Sequence, residues 1–307
     1  MMDTFRKAAL TASATLLLSA SGLWAQQAAP VYATPQDAIE ALMAAVDTGN
    51  ADAVLAAMDP DAGDLVHATD PDMVQQTLQD LAALYQAGYR FAPGEDQSVI
   101  IDLGEDDWPF PVPLVRTGMG WSFDTAAGRE EIINRDIGHN ELDVIDTMHA
   151  YVDIQAVFRG ADHDSDGVPE FASRIISSEG AHDGLYWPDG DDSPIGDIAA
   201  RASLDGFSEG GVDQEAEPYQ GYFFRVLTSQ GLSAPGGMMS YVINGQMVAG
   251  HALLAVPAEY GVTGIHSFMV SEAGVVHEAD LGENSLEIAY GITSFEPDYM
   301  WSPILDQ

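Results

Sequence analysis

Apolar side chains at helical spacing dominate the first part of the chain. The segment Thr34-Pro35-Gln36-Asp37 has the residues of a helix start: a capping side chain, a proline in the first turn and an acidic residue. Apolar residues then repeat at intervals of three and four, at Ile39, Leu42, Met43 and Val46. This pattern predicts an amphipathic helix that Gly49 ends, and the same pattern predicts a short helix around Leu55 and a third over residues 70–88.

Short apolar segments follow and predict strands at residues 98–103, 111–115 and 120–124. Residues 126–158 return to a helical pattern, which we expect to break at Gly138. The stripe expected to be buried on the second part of this helix consists of Leu142, Ile145, Met148 and Val152.

From Tyr219 onward the pattern is again that of strands. They are predicted at residues 222–228, 240–244, 247–256, 265–270 and 275–280. Asn244-Gly245 and residues 272–274 have the residues of hairpin turns between them. The order of elements predicts an α+β fold with two domains. The first, residues 33–130, combines helices with a small antiparallel sheet, and the second, residues 131–300, packs a long helix on an antiparallel meander.

The N-terminus has the features of an export signal. Arg6 and Lys7 precede an apolar stretch from Ala8 to Leu23, and Ala25 is a small residue at a plausible cleavage position. We therefore expect residues 1–25 to be a signal peptide and the mature protein to be periplasmic or secreted. No later segment is long and apolar enough to span a bilayer, so we expect no membrane span in the mature chain.

The net negative charge of the chain excludes some classes of binding partner. Without residues 1–25 the chain has 8 arginines, no lysine and 48 acidic residues, which gives a net charge of −40. Such a surface repels nucleic acid and anionic membranes, so we expect no nucleic-acid partner. Acidic surfaces without lysine resemble those of proteins from saline habitats. The hydrophobic fraction of 46% supports a sizeable core.

Several chemistries are excluded by missing residue types. The chain has no cysteine, which excludes thiol nucleophiles, disulfides and cysteine-bound metals. It has no lysine after the predicted signal, which excludes Schiff-base enzymes and Walker A sites. The motif H-E-x-x-H does not occur, and no catalytic residue is assigned. Hydrolysis by carboxylates, by histidine or by a serine outside a known motif stays open.

One loop has the residues of a calcium site. In Asp162-His163-Asp164-Ser165-Asp166-Gly167-Val168-Pro169-Glu170, the three aspartates occupy alternate positions before a glycine that permits a sharp turn. The predicted Ca²⁺ ligands are Asp162, Asp164, Asp166, the Val168 carbonyl and Glu170. The bidentate glutamate of an EF-hand is missing because Ser173 occupies its position, so the loop is a shortened relative of that motif. The alternative is an acidic turn without an ion.

Six segments resemble an exported bacterial family catalogued as domain of unknown function 2950. They are Asp106–Pro111, Gly120–Glu131, Gly138–Leu142, Asp183–Pro188, Pro218–Arg225 and Pro257–Gly264. The resemblance implies export but no activity, and it implies that the gene neighbours another exported family of unknown function. In its second half the chain also looks like the globular part of type II secretion pseudopilins, which implies a pilin-like fold but no filament, because the N-terminal position of the pilin helix is taken by a separate domain.

Two functions are compatible with these observations. The first is a non-catalytic protein of the periplasm or medium that is stabilised by calcium and binds an envelope partner, such as another exported protein of unknown function. The alternative is a periplasmic hydrolase with a carboxylate or histidine site between the domains, to which Asp124, Arg225, Glu259 and Tyr260 could contribute.

Overall fold

The computed structural model describes residues 28–65, 71–187, 192–209 and 212–305. The predicted signal peptide lies outside these residues. The chain forms two compact units, one up to Thr125 and one from Ala126 onward. None of the helices in the described ranges combines the length and the apolar character needed to cross a bilayer.

Three helices open the first unit: α1 (Pro35–Val46), α2 (Ala51–Met58) and α3 (Pro71–Ala87). The predicted start of α1 is a capping box, in which Thr34 Oγ1 accepts from the Asp37 backbone N–H at 3.1 Å and the Asp37 carboxylate accepts from the Thr34 N–H at 3.0 Å. The apolar stripe of α1 is buried, with Ile39 and Leu42 fully inaccessible.

An antiparallel sheet completes the first unit. Its strands are β1 (Tyr89–Pro93), β2 (Val99–Leu103), β3 (Trp108–Pro109), β4 (Leu114–Thr117) and β5 (Gly120–Phe123). The strand order is β1-β2-β4-β5, and β3 pairs with β2. The apolar faces of the helices and of β2, β4 and β5 form one core.

The second unit is built on one long helix, α4 (Thr125–Phe158). The predicted break at Gly138 is wrong, because the helix continues through this glycine. The predicted buried stripe is also partly wrong: Leu142 is 66% exposed, whereas Val144, Met148 and Tyr151 are buried. The buried stripe is rotated around the helix relative to the predicted one, because the buried side chains are those on the face that packs against the sheet.

The main sheet of the second unit is antiparallel and has five strands. They are β10 (Tyr222–Leu227), β15 (Ala252–Pro257), β16 (His266–Ser271), β17 (Val276–Asp280) and β18 (Ser302–Pro303), in that order. All six residues of β15 are buried, and α6 (Ser285–Gly291) packs on this strand. Side chains of α4 belong to the same core.

Shorter elements fill the connections of the second unit. They are β6 (Arg174–Ile176) and β7 (Gly184–Tyr186), which are parallel, α5 (Asp197–Ala200), and the antiparallel pairs β8 (Phe207–Glu209) with β9 (Val212–Gln214), β11 (Ser229–Gln230) with β12 (Met239–Ser240), and β13 (Val242–Ile243) with β14 (Gln246–Met247). The predicted turns at 244–245 and 272–274 join β13 to β14 and β16 to β17. The fold is α+β, as predicted from the sequence, whereas the pilin-like comparison stays a prediction.

Candidate metal centre

The acidic loop is held at both ends by the core of the second unit. It begins where α4 ends and finishes at Phe171, whose backbone N–H donates to the Met247 carbonyl at 2.8 Å. Gln155, fully buried on α4, donates to the Ala172 carbonyl and accepts from the Ala172 N–H, both at 2.9 Å. The side-chain amide of Gln155 therefore makes the two hydrogen bonds to the Ala172 backbone that a neighbouring strand would make. These bonds fix the distance between the end of α4 and the end of the loop.

The three aspartates of the loop come together. Carboxylate oxygens of Asp162, Asp164 and Asp166 lie within 4.8 Å of one another, and all three side chains are exposed. Two oxygens bound to one Ca²⁺ at about 2.3–2.6 Å are at most about 5 Å apart. The spread of the three carboxylates therefore fits one calcium shell that is open to water on one side.

Backbone N–H groups point into this cluster and fix its shape. Asp162 accepts from Gly167 at 2.8 Å and from Asp166 at 3.2 Å, while Asp164 also accepts from Asp166 at 3.2 Å. Ser165 and Gly167 have positive φ angles of 63° and 91°, which turn the chain around the carboxylates. The hydrogen bond from Gly167 lowers the pKa of Asp162 below its usual value, so this carboxylate is charged throughout the neutral range.

The remaining predicted ligands lie at the edge of the cluster. The Val168 N–H donates to Asp166 Oδ1 at 2.8 Å, and the Gln246 side chain donates to the other oxygen of Asp166. Glu170 accepts from the Met247 N–H at 3.3 Å. Burial, and then the charges of Asp164, Asp166 and Asp183, raise the pKa of Glu170, so this carboxyl lies in the negative field of the loop.

A cavity of about 400 Å³ adjoins the loop on the side of Asp164 and Glu170. His163 and His182 line it, and both rings are stacked on aromatic side chains, His163 on Phe158 and His182 on Trp187. Water can therefore reach the carboxylates from this side and complete the shell of a bound ion.

A pair of ionisable side chains, Glu141 and His266, joins α4 to the start of β16. The carboxylate of Glu141 accepts from the backbone N–H groups of Ile265 and His266, both at 2.8 Å, and lies 3.1 Å from His266 Nδ1. Within the described part of the chain, the other ring nitrogen of His266 has no hydrogen-bond partner. Asp280 is the cross-strand neighbour of His266 and accepts from the Tyr260 hydroxyl at 3.2 Å.

Two glycines allow the close packing around this pair. A side chain at Gly264 would overlap the Tyr222 hydroxyl, which donates to the His266 carbonyl at 2.9 Å. A Cβ at Gly221 would lie 2.8 Å from Asn140 Nδ2, and the φ of Gly221 is 76°. Three of the segments that resemble the exported family, Gly138–Leu142, Pro218–Arg225 and Pro257–Gly264, therefore meet here. Their spacing along the chain gave no indication of this.

The residues of the hydrolase alternative have separate contacts. Arg225 forms an ion pair with Asp205 at 2.7 Å and donates to the carbonyls that end α6. The Glu259 backbone N–H donates to Thr263 at 3.0 Å. Asp124 belongs to the first unit, where its backbone N–H donates to the Pro113 carbonyl at 2.9 Å.

A family model described as "Protein of unknown function (DUF2950)" matches residues 29–304. The match covers most of the chain, and the chain belongs to this family. No curated protein and no solved structure matches it.

Proposed function

We propose that the mature chain is an exported, non-catalytic binding protein whose second unit is stabilised by calcium. The observation that carries the calcium part of the proposal is the convergence of Asp162, Asp164 and Asp166 on one point of an anchored loop. A loop of three adjacent carboxylates is under mutual repulsion, and a hard divalent cation with oxygen ligands relieves it.

Calcium suits this loop better than magnesium. The carboxylates are exposed and belong to an irregular loop, which can supply some of the six to eight oxygens of a calcium shell while water supplies the rest. Magnesium requires near-octahedral geometry and loses its water reluctantly. Without a bidentate glutamate the affinity is expected to be low, with a Kd on the order of 0.1–1 mM, as in extracellular modules.

The contacts of Arg225 support a binding role over catalysis. Its guanidinium holds Asp205 and the end of α6, so its hydrogen bonds maintain the fold. The partner we propose is a protein of the cell envelope, and the family resemblance suggests another exported protein of unknown function.

Calcium-dependent stability tests the metal site. At about 1 M NaCl, which screens general charge effects to about 3 Å, we expect calcium to raise the melting temperature of the mature protein. At tenfold excess over Kd the stabilisation is about 1.4 kcal/mol. Magnesium at the same concentration is expected to do less. The double variant Asp164→Asn with Asp166→Asn is expected to lose the calcium response and to keep the response to NaCl.

The control is a matched pair of substitutions outside the loop, Asp72→Asn with Asp80→Asn on α3, which removes the same charge. If wild type, loop variant and control respond to calcium alike, the loop is an acidic turn and the calcium part of the proposal is wrong.

Export is tested by the N-terminus of the native protein. We expect sequencing to begin at or near Gln26 and the protein to be recovered from the periplasm or the medium. Recovery of a membrane-bound chain that starts at residue 1 would contradict export.

The Glu141–His266 pair favours a second candidate function, a hydrolase in which His266 acts as a general base. The carboxylate at Nδ1 would orient the ring, as in other pairs of a base and its orienting group. The test is a screen of ester, peptide and glycoside substrates with the mature wild-type protein and His266→Gln. Turnover that the variant loses would favour this candidate; turnover that is equal in both, or absent, would exclude His266 as its base.

A further inference from the structure

One cavity of the second unit is lined by residues outside the acidic loop. It has a volume of about 1000 Å³, at the upper end of the range for small-molecule sites, about 300–1,000 Å³. Seven of its fifteen lining residues carry a hydroxyl, so we call it the hydroxyl cavity. Six of these are serine or threonine: Ser173, Ser177, Ser178, Ser203, Thr228 and Thr293.

The charged groups of the hydroxyl cavity balance. The cavity is lined by two arginines, Arg174 and Arg225, and by two carboxylates, Glu179 and Asp205, so these side chains have no net charge together. The mature chain has a net charge of −40 and only 8 arginines, so a cavity with two of them is a marked local departure. A ligand that fits this lining is neutral, since an anion would meet the field of the whole protein and a cation would be attracted to most of the surface instead.

One ion pair in the cavity holds a carboxylate acceptor in place. Arg225 is held by Asp205 at 2.7 Å and by the carbonyls of Ala289 and Tyr290 at 3.1 and 3.3 Å, and its side chain is 12% exposed. Asp205 is fixed by this contact yet 57% exposed, and its second oxygen has no partner within the described part of the chain. A fixed carboxylate with an available oxygen accepts from a ligand hydroxyl without loss of its own conformational freedom.

Arg174 supplies further donors to the cavity. Its Nε lies 3.3 Å from Asp183, and its side chain is 52% exposed. Ser178 holds the same carboxylate through its backbone N–H at 2.7 Å and its hydroxyl at 2.8 Å, so the arginine is attached to an ordered group.

An aromatic ring lies at the rim of the cavity. Tyr290 is 57% exposed, and the Arg225 guanidinium lies 5.7 Å from its ring centre. An exposed ring beside a polar, charge-balanced cavity is suited to a ligand with both an apolar face and a hydroxylated edge.

Peptide added as a strand does not fit the same place. β10 is at the edge of the main sheet, but its free edge is already paired at Phe224. The Leu204 N–H donates to the Phe224 carbonyl at 2.7 Å, and the Phe224 N–H donates to the Ala202 carbonyl at 2.8 Å. The backbone groups of Phe224 are therefore not available to a peptide strand at the centre of this edge.

We propose that the hydroxyl cavity binds a neutral carbohydrate. The sugar hydroxyls would hydrogen-bond to Asp205, Arg174 and the serine and threonine side chains, and the apolar face of one sugar ring would pack on Tyr290. This inference rests on the proposal that the protein acts by binding, and it adds a carbohydrate ligand beside the proposed protein partner.

The test is isothermal titration calorimetry of the mature protein with neutral hexasaccharides of glucose (α- and β-linked) and of N-acetylglucosamine, with oligogalacturonate as the anionic comparison. We expect at least one neutral oligosaccharide to bind and oligogalacturonate not to bind. Tyr290→Ala is expected to weaken binding about tenfold, the effect of about 1.4 kcal/mol of ring contact. Asp205→Asn is expected to weaken it as well.

Tyr299→Ala is the matched control, because Tyr299 is 94% exposed and does not line the cavity. The affinity of the Tyr299→Ala variant for the oligosaccharide is expected to equal that of wild type. The inference is overturned if none of the neutral oligosaccharides binds at millimolar concentration, or if Tyr290→Ala and Asp205→Asn bind as tightly as the control. Such a result with an intact calcium response would leave the proposed function standing. Release of shorter sugars during the titration would support the cavity and contradict the non-catalytic proposal.

Discussion

Replacement of His251 by leucine is expected to remove a pH-dependent loss of stability. His251 is 1% exposed, and its ring centre lies 5.2 Å from that of Tyr151 and 4.7 Å from that of Phe171. Its Nδ1 has no hydrogen-bond partner within the described part of the chain. Burial, and then the charge of Arg159, lower the pKa of His251 from 6.5 to about 4. The native state therefore holds this ring neutral at pH values at which the unfolded chain protonates it.

The sign and size of the effect follow from this difference. Above about pH 6.5 the imidazole is neutral in both states and has no effect on stability. As the pH falls from 6.5 toward 4, the unfolded state binds a proton that the native state does not, so stability decreases. Below about pH 4 the full loss is about 3 kcal/mol, at about 1.4 kcal/mol per pH unit.

Urea unfolding between pH 7.5 and 4, in constant 1 M NaCl, measures this effect. The stability of His251→Leu relative to wild type is expected to rise by about 3 kcal/mol across the range. His139→Gln is the control, because this imidazole is exposed on α4 and lacks the burial that causes the effect. A His251→Leu difference that is constant with pH would refute the reasoning.

Two further predictions concern packing, and one concerns charge. Gln155→Leu leaves the buried N–H and carbonyl of Ala172 without partners and is expected to lower the free energy of unfolding in urea by about 2–4 kcal/mol. Gln76→Leu, at an exposed position of α3 where the side chain donates to Asp80, should change this free energy little. Gly264→Ala overlaps the Tyr222 hydroxyl and is expected to lower the melting temperature; an unchanged value would contradict the close packing. The wild-type melting temperature is expected to rise clearly from low salt to about 1 M NaCl, and a flat curve would mean that charge repulsion does not limit stability.

Elements with local signals were predictable from the sequence. The start of α1 depends on Thr34, Pro35 and Asp37, which are adjacent in the chain, and the capping box forms as expected. The hairpin turn at Asn244-Gly245 likewise depends on two adjacent residues, with φ angles of 54° and 93°.

Tertiary contacts decided the features of α4 that the sequence did not reveal. Gly138 costs a helix only about 1 kcal/mol relative to alanine, which the packing of the rest of α4 offsets. The helix offers two apolar stripes that share Met148, and the sheet covers the one with Val144 and Tyr151 instead of the one with Leu142. Gln155 completes the buried stripe although it is polar, because Ala172 satisfies its amide.

The local part of the candidate site was predictable from the sequence, and its long-range contacts were not. Asp162, Asp164 and Asp166 are close in sequence, so their convergence follows from loop spacing and a permissive glycine. Gln246, which bonds to Asp166, is 80 residues away, and no local pattern indicates it. The Glu141–His266 pair spans 125 residues and was missed for the same reason.

The central claim, that the protein acts by binding an envelope partner, is tested most directly by cross-linked pull-down from the native envelope. The bait is the mature chain in calcium and about 1 M NaCl, and the control bait is an unrelated protein of similar negative charge, since charge alone captures basic proteins at low salt. We predict that one envelope protein is enriched on the mature chain and not on the control. Recovery of the same proteins on both baits would contradict the claim.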